Sequence, residues 1–422
     1  MATITINDIP DFDYNGRDYK VTYNIALEEG ETLNGITITS SERWCNVKNR
    51  TIKPYQVEIE LSSNQTLTAR TATLSFTFET TVSTYTATAT VTQEGFVFYP
   101  IWQTRMVKIE TETNSVKYSI THNGTTIYSG RAYVMQGNNY LYIDIANICA
   151  NYLNSSLENA INAPLNFNLT NGVGKFNLYI NDNFHSGYLF YNSYTYKENP
   201  PYIVDGEELF VKLSNPIRKE FDSRQLVIYS FFKALPNNSN NLYFYFHKNQ
   251  TTHYDFGGQV NPQQMYTTLT IVPEGYDTVQ FFDEFIPIKN TCCKYCLYYQ
   301  NALGGWDSFL INGNDKQTDK ITSHKFVKSI DNTTKNFATK NYLNVVAPTY
   351  KLYTDWLTDE EASKMFNLLE STEVYLHNLE DDTIQPINLT NSTCEYKTFK
   401  NNGKKKFYYT IDAELAQPRF RQ

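Results

Sequence analysis

Cysteine and histidine are the residues whose spacing would most readily reveal chemistry in this chain, which has six of each. Cys293-x-x-Cys296 has the spacing of half a zinc site. Such a site needs two further ligands at usable spacing, and the sequence has no second CxxC and no HxxxH pair. Residues 292–299, CCKYCLYY, are instead typical of a buried strand. We therefore interpret these thiols as structural.

A calcium loop is the second chemistry to consider. Asp11-x-Asp13-x-Asn15-Gly16 matches the first half of such a loop. The bidentate glutamate that closes the loop would fall at position 22, which is Thr22. No helical pattern flanks the segment, so we interpret it as a polar turn before a strand.

The remaining charged clusters also lack a catalytic context. Glu207-Glu208 and Asp381-Asp382 are adjacent acids, and neighbours in a strand point to opposite faces, whereas a glycosidase needs two carboxylates at a defined separation. Residues 404–406 are three lysines after Asn402-Gly403, which is a hairpin signal. None of the histidines stands in an HExxH motif or a nucleophile-elbow context. We predict no catalytic, metal or cofactor site and no enzymatic activity.

Composition narrows the classes of partner. The net charge is −8, and no basic stripe with interleaved aromatics is present, so a nucleic-acid partner is not expected. The longest apolar run, residues 226–232, is far shorter than a membrane span. Residues 1–30 lack the basic and apolar regions of an export signal, so we expect synthesis and assembly in the cytoplasm.

Period-two alternation is the dominant structural signal. It recurs in short segments separated by turn clusters, as in residues 19–24 and 72–78, which indicates strands with one buried face. Two helices are predicted: one after Asp144, an expected N-cap, with an apolar stripe from Ile145 to Leu153, and one after the capping box Thr358-Asp359-Glu360-Glu361. The fold class is therefore mainly β: several antiparallel β-sandwiches with two short amphipathic helices.

Boundaries follow from the connectors. The aromatic segment 96–102 and Pro200-Pro201 separate the strand groups. We predict a β-sandwich at 1–95, a sandwich with a short helix at 96–200, a β-rich assembly domain at 201–310 and a C-terminal β-rich module with the capped helix at 311–422. Residues 201–422 alternatively form one unit.

Residues 1–95 contain a sequence of landmarks known from one family. They are a Ser40-Ser41-x-x-Trp44 corner, Arg70-x-Ala72-x-Leu74 at the start of a strand, and a Thr-rich strand that ends in Val91-x-Gln93-x-Gly95. The segment resembles a BACON domain, a Bacteroidetes-associated module often found ahead of glycan-active proteins. The resemblance implies carbohydrate binding or a spacer role. Trp44 is the candidate glycan-contact residue; the alternative, which its large apolar area favours, is that its indole fills the core.

Residues 96–422 carry a second pattern. Its segments are Arg131-Ala132-Tyr133, the helix at 148–153, Gly304 to Phe309, Leu357 to Glu361, Val374 to Leu376, and Glu395 to Thr398. Together they resemble virion proteins of phages and prophages of Bacteroidales, including crAss-like phages. In those proteins a β-rich tail or collar module follows an optional BACON domain.

The resemblance implies a structural virion protein of a tailed phage, in the tail, collar ring or fibre-attachment region. Its expected partners are other virion proteins and further copies of itself in a ring or multimer, and its BACON-like domain would contact host surface glycans. The alternative is a cell-surface carbohydrate-binding protein of a Bacteroidales bacterium, with an export signal upstream of Met1.

Overall fold

The computed structural model describes residues 2–12, 16–53, 55–62, 64, 69–94, 98–154, 156–162, 167–192, 202–205, 208–234, 240–249, 252–327, 339–391, 398–401, 404–417 and 419–421. The chain divides into two compact units. The first contains Met1–Tyr99, Val107–Ile143 and Lys175–Phe190, and the second contains Pro100–Met106, Asp144–Gly174 and Tyr191–Gln422. Residues of the predicted second domain thus contribute to both units, and the four-domain division stays a prediction.

Strands account for most of the structure, which confirms the predicted fold class. From the N-terminus to Tyr191 they are β1 Thr3–Ile6, β2 Arg17–Ala26, β3 Leu33–Ser40, β4 Cys45–Lys53, β5 Gln56–Leu61, β6 Arg70–Thr80, β7 Thr84–Gln93, β8 Phe98–Pro100, β9 Met106–Glu110, β10 Ser115–His122, β11 Thr125–Tyr133, β12 Tyr140–Asp144, β13 Asn168–Thr170, β14 Val173–Ile180 and β15 Asn183–Tyr191.

The strands that follow belong to the second unit. They are β16 Tyr202–Asp205, β17 Glu208–Lys212, β18 Phe221–Asp222, β19 Leu226–Lys233, β20 Asn240–Lys248, β21 Thr252–Val260, β22 Gln264–Ile271, β23 Thr278–Phe281, β24 Glu284–Lys289, β25 Tyr295–Gln300, β26 Trp306–Ile311, β27 Asp315–Val327, β28 Thr339–Tyr353, β29 Val374–Asn378, β30 Thr383–Leu389, β31 Thr398–Asn401, β32 Lys404–Phe407, β33 Thr410–Leu415 and β34 Arg419–Arg421.

A small sandwich occupies the N-terminal part of the first unit. One sheet has the order β1-β2-β5-β4 and the other β3-β6-β7. In β6 the side chains of Ala72, Leu74, Phe76 and Phe78 are buried and alternate with more exposed threonine and serine. This alternation is the one the sequence predicts, because successive side chains of a strand point to opposite faces. The first unit also contains the sheet β11-β10-β14-β15-β8 and the pair β12-β9.

The second unit is built around two apolar cores. The sheets β13-β22-β19-β17-β16 and β18-β24-β23-β20-β21 contribute to one core, in which Tyr229 and Phe281 stack with ring centroids 4.2 Å apart. Every residue of β19 is buried, as expected for a strand covered on both faces. The other core lies against a sheet of eight strands with the order β26-β25-β29-β30-β33-β28-β27, to which β34 adds beside β28. This sheet crosses the predicted boundary between residues 310 and 311.

Helices are short and few in the described residues. α1 (Ala146–Cys149) continues as a 3₁₀ turn to Tyr152, α2 is Glu158–Asn162, and α3 is Asp359–Leu369. Asp144 is not the N-cap of α1: that position is Ile145, and the Asp144 carboxylate instead accepts from the backbone N–H groups of Arg105 and Ala146, both at 3.2 Å. α2 has no counterpart among the predicted elements. No helix in the described ranges is long and apolar enough to cross a membrane.

Candidate functional site

Trp44, the predicted glycan-contact residue, is half-buried beside the core of the N-terminal sandwich. The guanidinium of Arg70 lies over its ring, 4.3 Å from the ring centroid. Arg70 is itself anchored, since it donates to Oε1 of Gln93 at 2.8 Å and to the carbonyl of Ser62 at 2.7 Å. One face of the indole is therefore occupied by a fixed cation, and the packing role that its apolar area favours is visible. Whether Trp44 also contacts a glycan stays a prediction.

Metal-binding patterns do not assemble in the described residues. Asp13 and Asn15 of the calcium-like segment lie outside the described residues. Phe12, which stands between Asp11 and Asp13, is a core residue. Cys293 and Cys296 are buried without a disulfide, and burial raises the pKa of both thiols. Within the described residues, no three or more His, Cys, Asp or Glu side chains lie close enough together to hold a metal ion.

The histidines at the polar turn after β20 lie in two environments. His253 is exposed, whereas His247 is half-buried and its Nε2 lies 2.8 Å from Oε1 of Gln280. His377 is buried, which no local pattern predicted: its Nδ1 lies 3.0 Å from the Tyr298 hydroxyl and its Nε2 lies 2.8 Å from Oδ1 of Asp382. Burial lowers the pKa of His377, although Asp382 opposes that shift.

A buried polar cluster surrounds Asp307. Its Oδ2 accepts from Nδ2 of Asn301 at 2.6 Å and from the backbone N–H of Asn215 at 2.9 Å. Burial raises the pKa of Asp307 to about 6 in spite of these bonds. The adjacent Trp306 is fully buried, and its backbone N–H donates to Oγ of Ser230 at 2.8 Å. Trp306 is thus part of the core rather than an exposed platform for a sugar ring.

Gly304 and Gly305 explain why that cluster can form. Gly304 has φ +84°, and a Cβ there would lie 1.9 Å from the carbonyl oxygen of Asn192. A Cβ on Gly305 would lie 2.4 Å from the carbonyl oxygen of Leu213. The two glycines therefore allow the turn before β26 to press against neighbouring backbone. The Gly-Gly-Trp-Asp sequence serves packing in this arrangement.

The most unusual surface feature is a long two-stranded ribbon formed by β27 and β28, which we call the ribbon. All 13 residues of β27 are exposed. The base of β28, Thr349–Tyr353, pairs with β33, while Asn344–Val346 pair with β34. Residues 324–327 of β27 pair with residues 339–343 of β28, and among the described residues this part of β28 has no second partner strand. About four residues of strand, or roughly 14 Å, therefore lie past the part of β28 that pairs with β33 and β34.

The ribbon is both apolar and cationic. Ile321 and Val327 are 63% and 80% exposed, and Phe326 and Tyr342 are also exposed. Residues 315–353 contain seven lysines, three aspartates and no glutamate or arginine. They therefore carry +4 within a chain of net charge −8, and the remainder carries −12. This segment was not recognised as strands from the sequence because its apolar residues do not alternate regularly; its lysine bias was the available signal.

A wide cleft opens at the base of the ribbon. Its volume is about 910 Å³, and it lies entirely within the second unit. Gln317, Pro348 and Tyr350 contribute from the ribbon; the facing wall includes Ser156, Glu158, Glu373, Tyr375 and Gln385. Glu373 accepts from the hydroxyl of Ser156 at 2.6 Å and of Tyr375 at 2.7 Å. Glu158 and Gln385 are exposed. The cleft thus presents carboxylates and amides next to a lysine-rich ribbon.

Comparisons with known proteins give no family. No family model matches the chain, and no curated protein matches it. Among solved structures, an endo-fucoidan hydrolase, MfFcnA4 from glycoside hydrolase family 107, is 10% identical, with 67% of this chain and 43% of that chain covered and a TM-score of 0.19. The ICAM-5 D1–D4 ectodomain fragment is 8% identical, with 98% and 99% covered and a TM-score of 0.16. The chain spans less than half of the hydrolase, and similarity at this level identifies neither fold family nor function.

Proposed function

We propose that this chain is a structural protein of a tailed-phage virion that assembles with further copies of itself through the ribbon. The exposed ribbon is the observation that supports self-assembly. The virion setting, in the tail, collar ring or fibre-attachment region, comes from the resemblance of residues 96–422 to virion proteins of Bacteroidales phages. Other virion proteins are then its further partners, and the assembled virion is its location.

The ribbon has the physical properties of an interaction element. A two-stranded ribbon is marginally stable in water unless something covers it. In the eight-stranded sheet β27 is the terminal strand, so its outer edge offers backbone donors and acceptors to a neighbouring chain. Burying Ile321 and Val327 on association would contribute about 1.5–3 kcal/mol for each fully covered side chain. When one surface of each copy binds a different surface of the next copy, the copies form a closed ring if the rotation between neighbours permits it.

Substitution on the ribbon tests self-assembly. In Ile321→Thr/Val327→Thr, both residues stay β-branched and the strand propensity is kept, while two exposed apolar side chains become polar. The matched control is Val82→Thr/Ile271→Thr, which changes two residues that are 74% and 70% exposed elsewhere. We expect multimers for the wild type and the control by sedimentation velocity, and an association constant at least tenfold lower for the ribbon variant. A monomeric wild type, or equal association of all three proteins, contradicts the proposal.

The virion setting has a separate test. Particles of a phage that encodes this chain are purified, and the chain is quantified by mass spectrometry against the major capsid protein. We expect several copies per particle in a fixed ratio. Absence of the chain from purified particles overturns the virion role.

Glycan binding by the N-terminal sandwich distinguishes the virion proposal from the alternative, in which the chain is a cell-surface carbohydrate-binding protein. The wild type and Trp44→Ala are compared on a glycan array after both are shown to be folded. Binding by a monomeric wild type that Trp44→Ala loses would favour the alternative. Weak binding that multimers strengthen through several simultaneous contacts fits the virion proposal.

A further inference from the structure

The ribbon needs a complementary surface on its partner, and the structure contains one. We infer that the partner of the ribbon is a second copy of this chain, which receives it in the cleft lined by Glu158 and Glu373. This inference rests on the proposed self-assembly and adds to it the identity of the acceptor. The contact would be head-to-tail, with the ribbon of one copy in the cleft of the next.

Charge favours this acceptor. The ribbon segment carries +4 and the rest of the chain carries −12, so the attraction of a ribbon is toward the body of another copy. Within the cleft, Glu158 is exposed and Glu373 is half-buried. No lysine, arginine or histidine is among the cleft-lining residues of the described chain. A lysine ammonium that reaches a partly desolvated carboxylate forms a stronger hydrogen bond than a neutral pair does.

The composition of the cleft matches that of the ribbon. The cleft has a volume of about 910 Å³ and lies between α2, the base of the ribbon and β29–β30. Its lining mixes the apolar side chains of Ile161, Ile384 and Leu415 with amides and carboxylates. The outer ribbon has the matching composition, with Ile321, Phe326 and Val327 beside its lysines.

A charge exchange between two full-length variants tests the pairing. The ribbon variant is Lys320→Glu/Lys325→Glu. The cleft variant is Glu158→Lys/Gln385→Lys, which leaves the Ser156–Glu373–Tyr375 hydrogen bonds intact. Each variant alone places like charges at the contact, whereas a mixture restores opposite charges at both kinds of junction. We expect each variant alone to lose at least tenfold in association constant by sedimentation velocity, and an equimolar mixture to regain multimers of wild-type size.

Matched controls separate local from general charge effects. Arg131→Glu/Lys248→Glu has the charge change of the ribbon variant, and Glu112→Lys/Gln259→Lys has that of the cleft variant; all four positions are exposed. Thermal unfolding of every protein confirms folding before the comparison. Both controls should associate as the wild type does.

The two proposals fail in different ways. If the cleft variant associates normally while the ribbon variant does not, the ribbon binds elsewhere, and the cleft inference is overturned while self-assembly stands. If both variants associate normally and the Ile321→Thr/Val327→Thr protein does so too, both proposals fall. Loss of association in each variant without recovery in the mixture also overturns the cleft inference.

Discussion

At the scale of single residues, Asp307 offers the clearest consequence of burial. Its carboxyl has an ordinary pKa of 3.8 that burial raises to about 6. Between these values the folded chain holds a proton that the unfolded chain releases. Stability therefore falls as the pH rises from about 4 to 6, and is constant with respect to this group above that range.

Asp307→Asn should remove this dependence. The variant carbonyl oxygen can still accept from Asn301 and Asn215, so the geometry is kept. The free energy of unfolding of the variant, relative to wild type, should rise between pH 4 and 7 by up to about 3 kcal/mol, the equivalent of roughly two pKa units. Urea unfolding across that range measures it.

His377 titrates in the opposite sense, because its pKa is lowered and its contribution to stability is lost as the pH falls below its ordinary value of 6.5. It is present in both the wild type and Asp307→Asn, so it cancels in the difference between them. The exposed Asp319→Asn, unfolded under the same conditions, is the control for removing a surface carboxylate. A flat difference between Asp307→Asn and the wild type would show that burial does not shift this carboxyl.

At the scale of elements, the capping box of α3 was predictable from local sequence and is present. Oγ1 of Thr358 accepts from the backbone N–H of Glu361 at 3.2 Å, and Oε2 of Glu361 accepts from the backbone N–H of Thr358 at 2.8 Å. On the face of α3 that meets the core, Ala362, Met365 and Leu368 are buried, and Phe366 and Leu369 are half-buried. The direction from which a core approaches a helix is a tertiary property.

Glu361 of the capping box also makes a tertiary contact. Nε of Arg218 donates to Oε1 of Glu361 at 2.7 Å, and the same guanidinium pairs with Asp355. Although burial alone would raise it, the pKa of Glu361 is lowered by the Arg218 hydrogen bond. Sequence separation hides this link, since Arg218 is remote from α3 in the chain.

Thr358→Ala should weaken the start of α3. Removal of an N-cap hydroxyl costs about 1 kcal/mol, which corresponds to roughly fivefold in an opening equilibrium. Native-state hydrogen exchange of the first amides of α3 measures this directly. The control is Ser363→Ala on the exposed face of the same helix, which removes a hydroxyl but no cap and should leave the exchange of these amides near the wild-type rate. Equal exchange in the two variants would contradict a capping role for Thr358.

At the scale of the whole molecule, the separation of charge between ribbon and remainder sets how assembly responds to salt. The Debye length falls from about 10 Å at 0.1 M ionic strength to about 3 Å at 1 M. Self-association of the wild type should therefore weaken several-fold between about 0.05 M and 0.5 M sodium chloride, as measured by sedimentation velocity. The Lys320→Glu/Lys325→Glu variant should show little salt dependence or the reverse. Association of the wild type that strengthens with salt would indicate an apolar contact without charge pairing.

Local structure in this protein follows from short stretches of sequence. Alternation in β6, the Thr358–Glu361 box and the β-rich composition each depend on neighbouring residues, and the physical rules that govern them operate over a few positions. The burial of Cys293 and Cys296 was also predictable, because most residues of segment 292–299 are apolar or aromatic.

Contacts between distant residues depend on the tertiary structure. It placed Arg70 over Trp44, buried His377 against Tyr298, and joined residues 295–311 with 315–421 in one sheet. It also left the ribbon uncovered beside a cleft whose lining comes from residues 154–161, 317–350 and 372–417. Pairing between distant segments is set by the summed burial and hydrogen bonding of the folded chain, which no local pattern contains.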